Sequence, residues 1–216
     1  RRHAALNPNA ALREPATADA ILADKIVVAP LTRGMCGGLA DGAAAVVLVS
    51  EAFVRKHGIA GPRIAASAVV SGLGSAPLRD EEFASATKRA GVLAFAQVGL
   101  APADISLAEV HDPTASRELF DIEELGLAPP GGAITLTESG ATALGGRLPI
   151  NVSGGLVARG HPVGATGVAQ IAEIAEQLMG RAGARQVEGA RIGLAQMAGG
   201  LLGRDSAVAA VHILVR

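Results

Sequence analysis

The sequence contains no tryptophan and no tyrosine, one cysteine and only four phenylalanines. Without a phenol, no mechanism that needs tyrosine as acid, base or hydrogen-bond donor can run on this chain's own side chains. The lone cysteine, Cys36, excludes an internal disulfide framework and fits a reducing cytosol, so a cytoplasmic location is expected. An excess of charge of either sign is also missing: 19 Lys and Arg face 20 Asp and Glu, a net charge of −1, which leaves no basic surface for nucleic acid. No apolar run approaches the roughly 18–20 residues of a spanning helix, and the opening RRHAALNPNA has no apolar centre of the signal-peptide kind. The expectation is a soluble chain with no membrane span.

What the 216 residues do have is apolar bulk and glycine: half of them are hydrophobic, 18% are charged and 28 are Gly. A core of Ala, Val, Leu and Ile follows, with glycines allowing close approach of helices and sheet. Residues 1–34 read as a proline-punctuated arm with one short helix at TADAILAD, capped by Thr17. The continuously apolar run Ala43–Val49 predicts a strand covered on both faces. SEAFVRKHG predicts a helix capped by Ser50 and ended by Gly58. A strand is expected over residues 63–75, then a helix opening on Asp80, Glu81 and Glu82. A further strand, ISLAEVHDPTAS, stops abruptly at His111 and Asp112. SRELFDIEELGL predicts another helix, and residues 129–150 an arm leading to a glycine loop. RIGLAQMAGG and SAVAAVHILV read as an antiparallel hairpin. Strands alternating with helices indicate a layered α/β fold with a mixed sheet.

The loop NVSGGLVARGHPVGATG, residues 151–167, carries glycine at 154, 155, 160, 164 and 167 around a single histidine, His161. Ser153 and Thr166 are weaker candidates for proton chemistry. Val168, Ile171, Ile174, Ala175 and Leu178 then recur at helical spacing, so the loop opens a helix. The unpaired N–H groups of that terminus favour an anion, a thioester oxygen or a neutral imidazole. His111 and His161 both fall where an element ends and a loop begins, the usual place for ligands in open α/β sheets. Neither has close companion ligands, so no metal is expected, and the loop lacks a phosphate-binding lysine.

AEVHDPTASRELFDIEELGLAPPG, GGRLPINVSGGLVARGHPVGATGVAQIAEIAEQL, IGLAQMAGG and SAVAAVHIL, in this order, resemble the C-terminal half of a thiolase of the sterol-carrier or lipid-transfer branch. LADGAAAVVLVSE resembles the end of the N-terminal half. The resemblance implies a thiolase-like α/β fold with a mixed five-stranded sheet layered with helices. It assigns residues 1–38 to the tail of the loop domain, 39–61 to the last strand and helix of the N-terminal half, and 62–216 to the C-terminal domain. It further implies that the rest of the first half, with the nucleophilic cysteine, comes from a partner polypeptide or a missing segment. An oligomer is expected, acting on an acyl-CoA substrate with no cofactor beyond the coenzyme A thioester. His161 would activate the cysteine and bond the thioester oxygen, and His111 would help stabilise an enolate. Asn151, Ser153, Gly154, Gly155, Gly160 and Gly164 would line the substrate.

Two departures from the family bear on the chemistry. Pro113 follows His-Asp where many members of the branch have cysteine, and LAQMAGG lacks the cysteine of ordinary thiolases. Cleavage or formation of a carbon–carbon bond in a β-ketoacyl-CoA therefore competes with retro-aldol cleavage of a β-hydroxyacyl-CoA, which needs no acyl-enzyme. Relatives of the aldolase type employ tyrosines that this chain lacks; Asp112 or Glu118 is the available substitute. A non-catalytic scaffold subunit is the third reading.

Overall fold

The computed structural model describes residues 1–74 and 84–216. In chain order the elements are α1 (Arg2–Ala5), α2 (Ala18–Leu22), β1 (Ile26–Val28), β2 (Leu31–Thr32), α3 (Glu51–His57), β3 (Arg63–Ser71), α4 (Ala86–Val98), β4 (Leu107–Glu109), α5 (Ala115–Glu124), α6 (Ala133–Glu138), α7 (Gly155–Arg159), α8 (Thr166–Leu178), β5 (Ile192–Gly199) and β6 (Val208–Val215). Four strands form one mixed sheet in the order β3-β6-β5-β4, with β5 antiparallel to β6 and parallel to β4. The expected hairpin at the C-terminal end is therefore present, and β6 lies in the middle of the sheet.

Side chains alternate between the two faces of β5, as the pleat requires. Leu194 and Ala198 enter a core shared with Ala86, Ala90 and Ala94 of α4 and with Ile122 of α5. Ala195 enters a second core with Ile174 and Leu178 of α8. Helices thus cover both faces, and small residues set the spacing. The alanines of α4 recur every fourth position, one stripe of a helix. Gly193 lies where a Cβ would collide with Ile174 Cγ2, so α8 packs directly on the backbone of β5.

Local signals account for most helix ends. Thr17 accepts from the Ala20 N–H and Ser50 from the Phe53 N–H, and Gly58 ends α3 at a φ of 61°. Ser85 caps α4; the acidic residues 80–82 expected at its start, and residue 75 at the end of the preceding strand prediction, lie outside the described residues.

Three expectations need correction. Ala43–Val49 forms no strand: it runs unpaired, with Val47 90% and Leu48 71% exposed. A strand exists only through hydrogen bonds to a neighbour, and this run pairs with none of the described strands. Among the described residues the sheet has four strands rather than five; beside β4 a single parallel bridge joins Ala108 and Ile150. The segment 129–150, expected as an arm, holds α6. ITLT alternates like a strand, and Gly132 gives no side-chain cap to announce the helix. No helix among the described residues is long and apolar enough to cross a membrane.

Candidate active site

β4 stops at Glu109, and beyond it side chains replace a backbone ladder. The Val110 N–H donates to Asn151 Oδ1 and the His111 N–H to Gln196 Oε1, each at 2.8 Å. Gln196 Nε2 donates to Thr87 Oγ1 at 3.1 Å, and Arg117 reaches the same hydroxyl at 3.3 Å while pairing with Asp121 and Glu124. A polar strut therefore runs from α5 through α4 to β5 and ends under the backbone of His111. The His111 ring is not itself hydrogen-bonded at Nε2, which is buried and has no partner among the described residues. Burial, with His161 and Arg117 nearby, lowers its pKa to about 4, so the ring is neutral near pH 7.

His161 sits between α7 and α8. Its N–H donates to the Gly38 carbonyl at 2.9 Å, and Leu39 bridges it in parallel. One step earlier along the arm, the Gly37 N–H donates to the Pro113 carbonyl at 2.8 Å, and Cys36 bridges Thr114. Residues 36–39 thus lace the two histidine loops together. Nδ1 of His161 lies 2.9 Å from Thr166 Oγ1, and that hydroxyl donates to the Pro162 carbonyl at 3.1 Å. Burial lowers the His161 pKa as well, with Arg159 adding to the shift. The two rings, fifty positions apart in sequence, meet edge to face with centroids 5.4 Å apart.

The other residues singled out in the sequence are placed around this pair with their polar atoms already engaged. Asn151, at the strained φ of 52°, accepts from Val110, donates to Glu118 at 2.6 Å and takes the His3 Nδ1 contact on its carbonyl at 3.0 Å. Ser153 is buried and bonds Glu109 through both its N–H and its hydroxyl; burial lifts that carboxyl to about 7. Asp112, buried, accepts from the Leu156 N–H at 2.7 Å in the first turn of α7, and burial pushes its pKa well up.

Gly155, at a φ of 60°, leaves room for the Asp112 carboxylate, and at Gly154 a Cβ would come 2.8 Å from that of Ala4. At Gly160 a Cβ would lie 2.9 Å from that of Ala40. These glycines bring the arm and the Asp112 loop against the chain that carries His161. Gly164 alone faces open space, on the rim of a cleft of about 500 Å³ shared with Ala40, Gly42 and Pro162. A second cleft, about 300 Å³, opens between α8 and the sheet and is lined by Val46, Val168, Gln170, Met197 and His212. Gln170 is fully buried there, and neither atom of its amide has a partner among the described residues.

The fold and this pair of histidine loops place the chain in the thiolase family: residues 68–214 match the model described as Thiolase C-terminal domain-like. Individual relatives agree. The chain is 40% identical over 215 residues to acetyl-CoA acetyltransferase of Methanothermobacter thermautotrophicus, covering 99% of this chain and 55% of that protein. It is 40% identical over 202 residues to human sterol carrier protein 2, covering 89% and 36%. Benzoylsuccinyl-CoA thiolase subunit BbsB of Thauera aromatica is 36% identical over 202 residues, covering 93% and 52%. Among solved structures, the Ltp2-ChsH2(DUF35) aldolase superposes on 100% of this chain and 55% of its own, with a TM-score of 0.82 and 26% identity. The chain thus spans about half the length of the relatives it matches, or less.

Gln196, Thr87 and Arg117 escape sequence reading because they belong to three different elements and act through one another. The run LAQMAGG, which lacks the cysteine of ordinary thiolases, holds the glutamine that anchors the His111 backbone.

Proposed function

We propose that this chain is the C-terminal half of a thiolase-like acyltransferase that cleaves or forms a carbon–carbon bond in a β-ketoacyl-CoA. The observation that carries the reading is the His111–His161 pair, two neutral imidazoles from different loops at one spot. In the cleavage direction His161 takes the proton of a cysteine thiol supplied by the other half. The thiolate attacks the β-carbonyl carbon, and the Cα–Cβ bond breaks. The electron pair passes to the departing acetyl-CoA fragment as an enolate, whose oxygen His111 Nε2–H stabilises before the α-carbon is protonated. Coenzyme A thiol then releases the acyl group from the cysteine.

The completing half is proposed to dock over the cleft lined by Val46, Gln170 and His212. Exposed Ala43–Val49 would pair there as the edge strand that it is not in this chain alone, and the unpartnered Gln170 amide would gain a partner. A retro-aldol reading is favoured by one finding, the aldolase fold match over the whole chain. Retro-aldol cleavage needs no acyl-enzyme.

The test is turnover of β-ketoacyl-CoA and β-hydroxyacyl-CoA by the completed enzyme with His161→Ala. Loss of at least about a hundredfold is expected, the lower end for removing a general base. Wild-type-like turnover in a folded variant would refute a catalytic role and favour a scaffold subunit. Turnover of the hydroxy substrate alone would select the aldolase.

A further inference from the structure

We infer that Thr166 is a positioning residue that sets the tautomer of His161, so that Nε2 rather than Nδ1 is the nitrogen free to take a proton. The inference rests on the proposed catalytic role of His161 only for its use, since the geometry stands by itself. Thr166 is fully buried at the first position of α8, so water does not compete for its hydroxyl. A hydroxyl has one proton to give. Here Oγ1 lies 3.1 Å from the Pro162 carbonyl, which can only accept, and 2.9 Å from His161 Nδ1, which can do either. That carbonyl also accepts the Ala165 and Thr166 N–H groups at 2.8 and 3.0 Å. With the hydroxyl proton directed to it as well, Oγ1 is an acceptor toward the ring and Nδ1 carries the hydrogen. A neutral imidazole has one N–H, so Nε2 holds the lone pair.

The consequence for proton transfer is direct. When Nε2 takes a proton from a thiol, the thiol becomes thiolate and the ring becomes imidazolium. Its Nδ1–H stays on Thr166 throughout, and the ring need not turn. The same hydroxyl fixes the ring's rotation, because the Thr166 side chain is held by the first turn of a thirteen-residue helix. His111 Nε2, by contrast, has no hydrogen-bond partner among the described residues.

The test is nitrogen-15 magnetic resonance of the imidazole in histidine-labelled wild-type chain and in Thr166→Val and Thr166→Ser variants. Wild type should show a protonated Nδ1 and an unprotonated Nε2 for His161. Thr166→Val, which keeps shape and removes the hydroxyl, should shift the population toward Nε2–H, and Thr166→Ser should restore the wild-type pattern. A wild-type ring protonated at Nε2 overturns the inference, whether or not the variants fold, as does a valine variant with an unchanged pattern. In the completed enzyme, Thr166→Val should lower kcat on the order of tenfold or more with KM little changed. It should also move the acid limb of the pH profile, and serine should rescue both. Loss of the tautomer without loss of turnover would leave the assignment standing and remove the catalytic reading of His161.

Discussion

His111 is neutral because it is buried beside a second histidine and an arginine, and this links its protonation to stability. Its pKa falls from an ordinary 6.5 to about 4 in the folded chain, so below pH 6.5 the unfolded chain binds the extra proton first. The stability that His111 contributes is therefore whole above pH 6.5 and is lost as pH falls toward 4. Glu109, lifted to about 7, works in the opposite sense and loses its contribution as pH rises through that value. Comparing denaturant midpoints of wild type and His111→Gln isolates the histidine: the variant should lose less stability between pH 6.5 and 4, and equal slopes would refute the linkage. At this scale the sequence showed the two histidines, because His111 ends an apolar strand run and His161 stands alone in a glycine loop that opens a helix. It did not show their supports. Asn151, Gln196 and Thr87 reach Val110, His111 and each other across 41, 85 and 109 positions, separations at which no periodicity operates.

Among the elements, the helices that announce themselves carry their own end signals, as Thr17, Ser50 and Gly58 do for α2 and α3. Helix α6 was hidden because its residues favour the strand pattern and its packing on α5 decides the outcome. Residues 43–49 erred the other way, since apolar character predicts burial but not the neighbour that burial requires. The approach of α8 to β5 depends on Gly193, so Gly193→Val should force Ile174 and the helix outward. A loss of about 1–3 kcal/mol is expected, the usual range for overpacking a filled core. Thermal or urea unfolding measures it, and a loss under about 0.5 kcal/mol, the ordinary scatter of neutral surface changes, would mean that α8 does not pack against that backbone.

For the molecule as a whole, the fold class was legible in the alternation of strands and helices, while the extent of the unit was legible only through resemblance. Val46, Val47 and Leu48 lie exposed on one run beside a cleft whose buried Gln170 amide has no partner among the described residues, and the docking proposed above would cover both. Hydrogen exchange of residues 43–49 should be fast in this chain and slow once the completing half is added. Val47→Asp, which would bury a charge in that contact, should weaken association at least about tenfold by analytical ultracentrifugation. Exchange that stays fast in the complex would place the interface elsewhere.

The position of β6 also governs how such a chain is made. β3 precedes the other strands of the sheet, and its ladder partner among the described residues is β6, which is also the bridge to β5 and β4. A ribosome delivers these strands in order, so β3 waits, apolar and unzipped, until the chain has been extended through Val215. Closing this sheet requires a middle strand to pair with one made about 150 residues before it, the kind of non-local pairing that slows folding. A nascent chain arrested before Val208 would carry both histidines, β4 and β5, but not the strand that joins β3 to them.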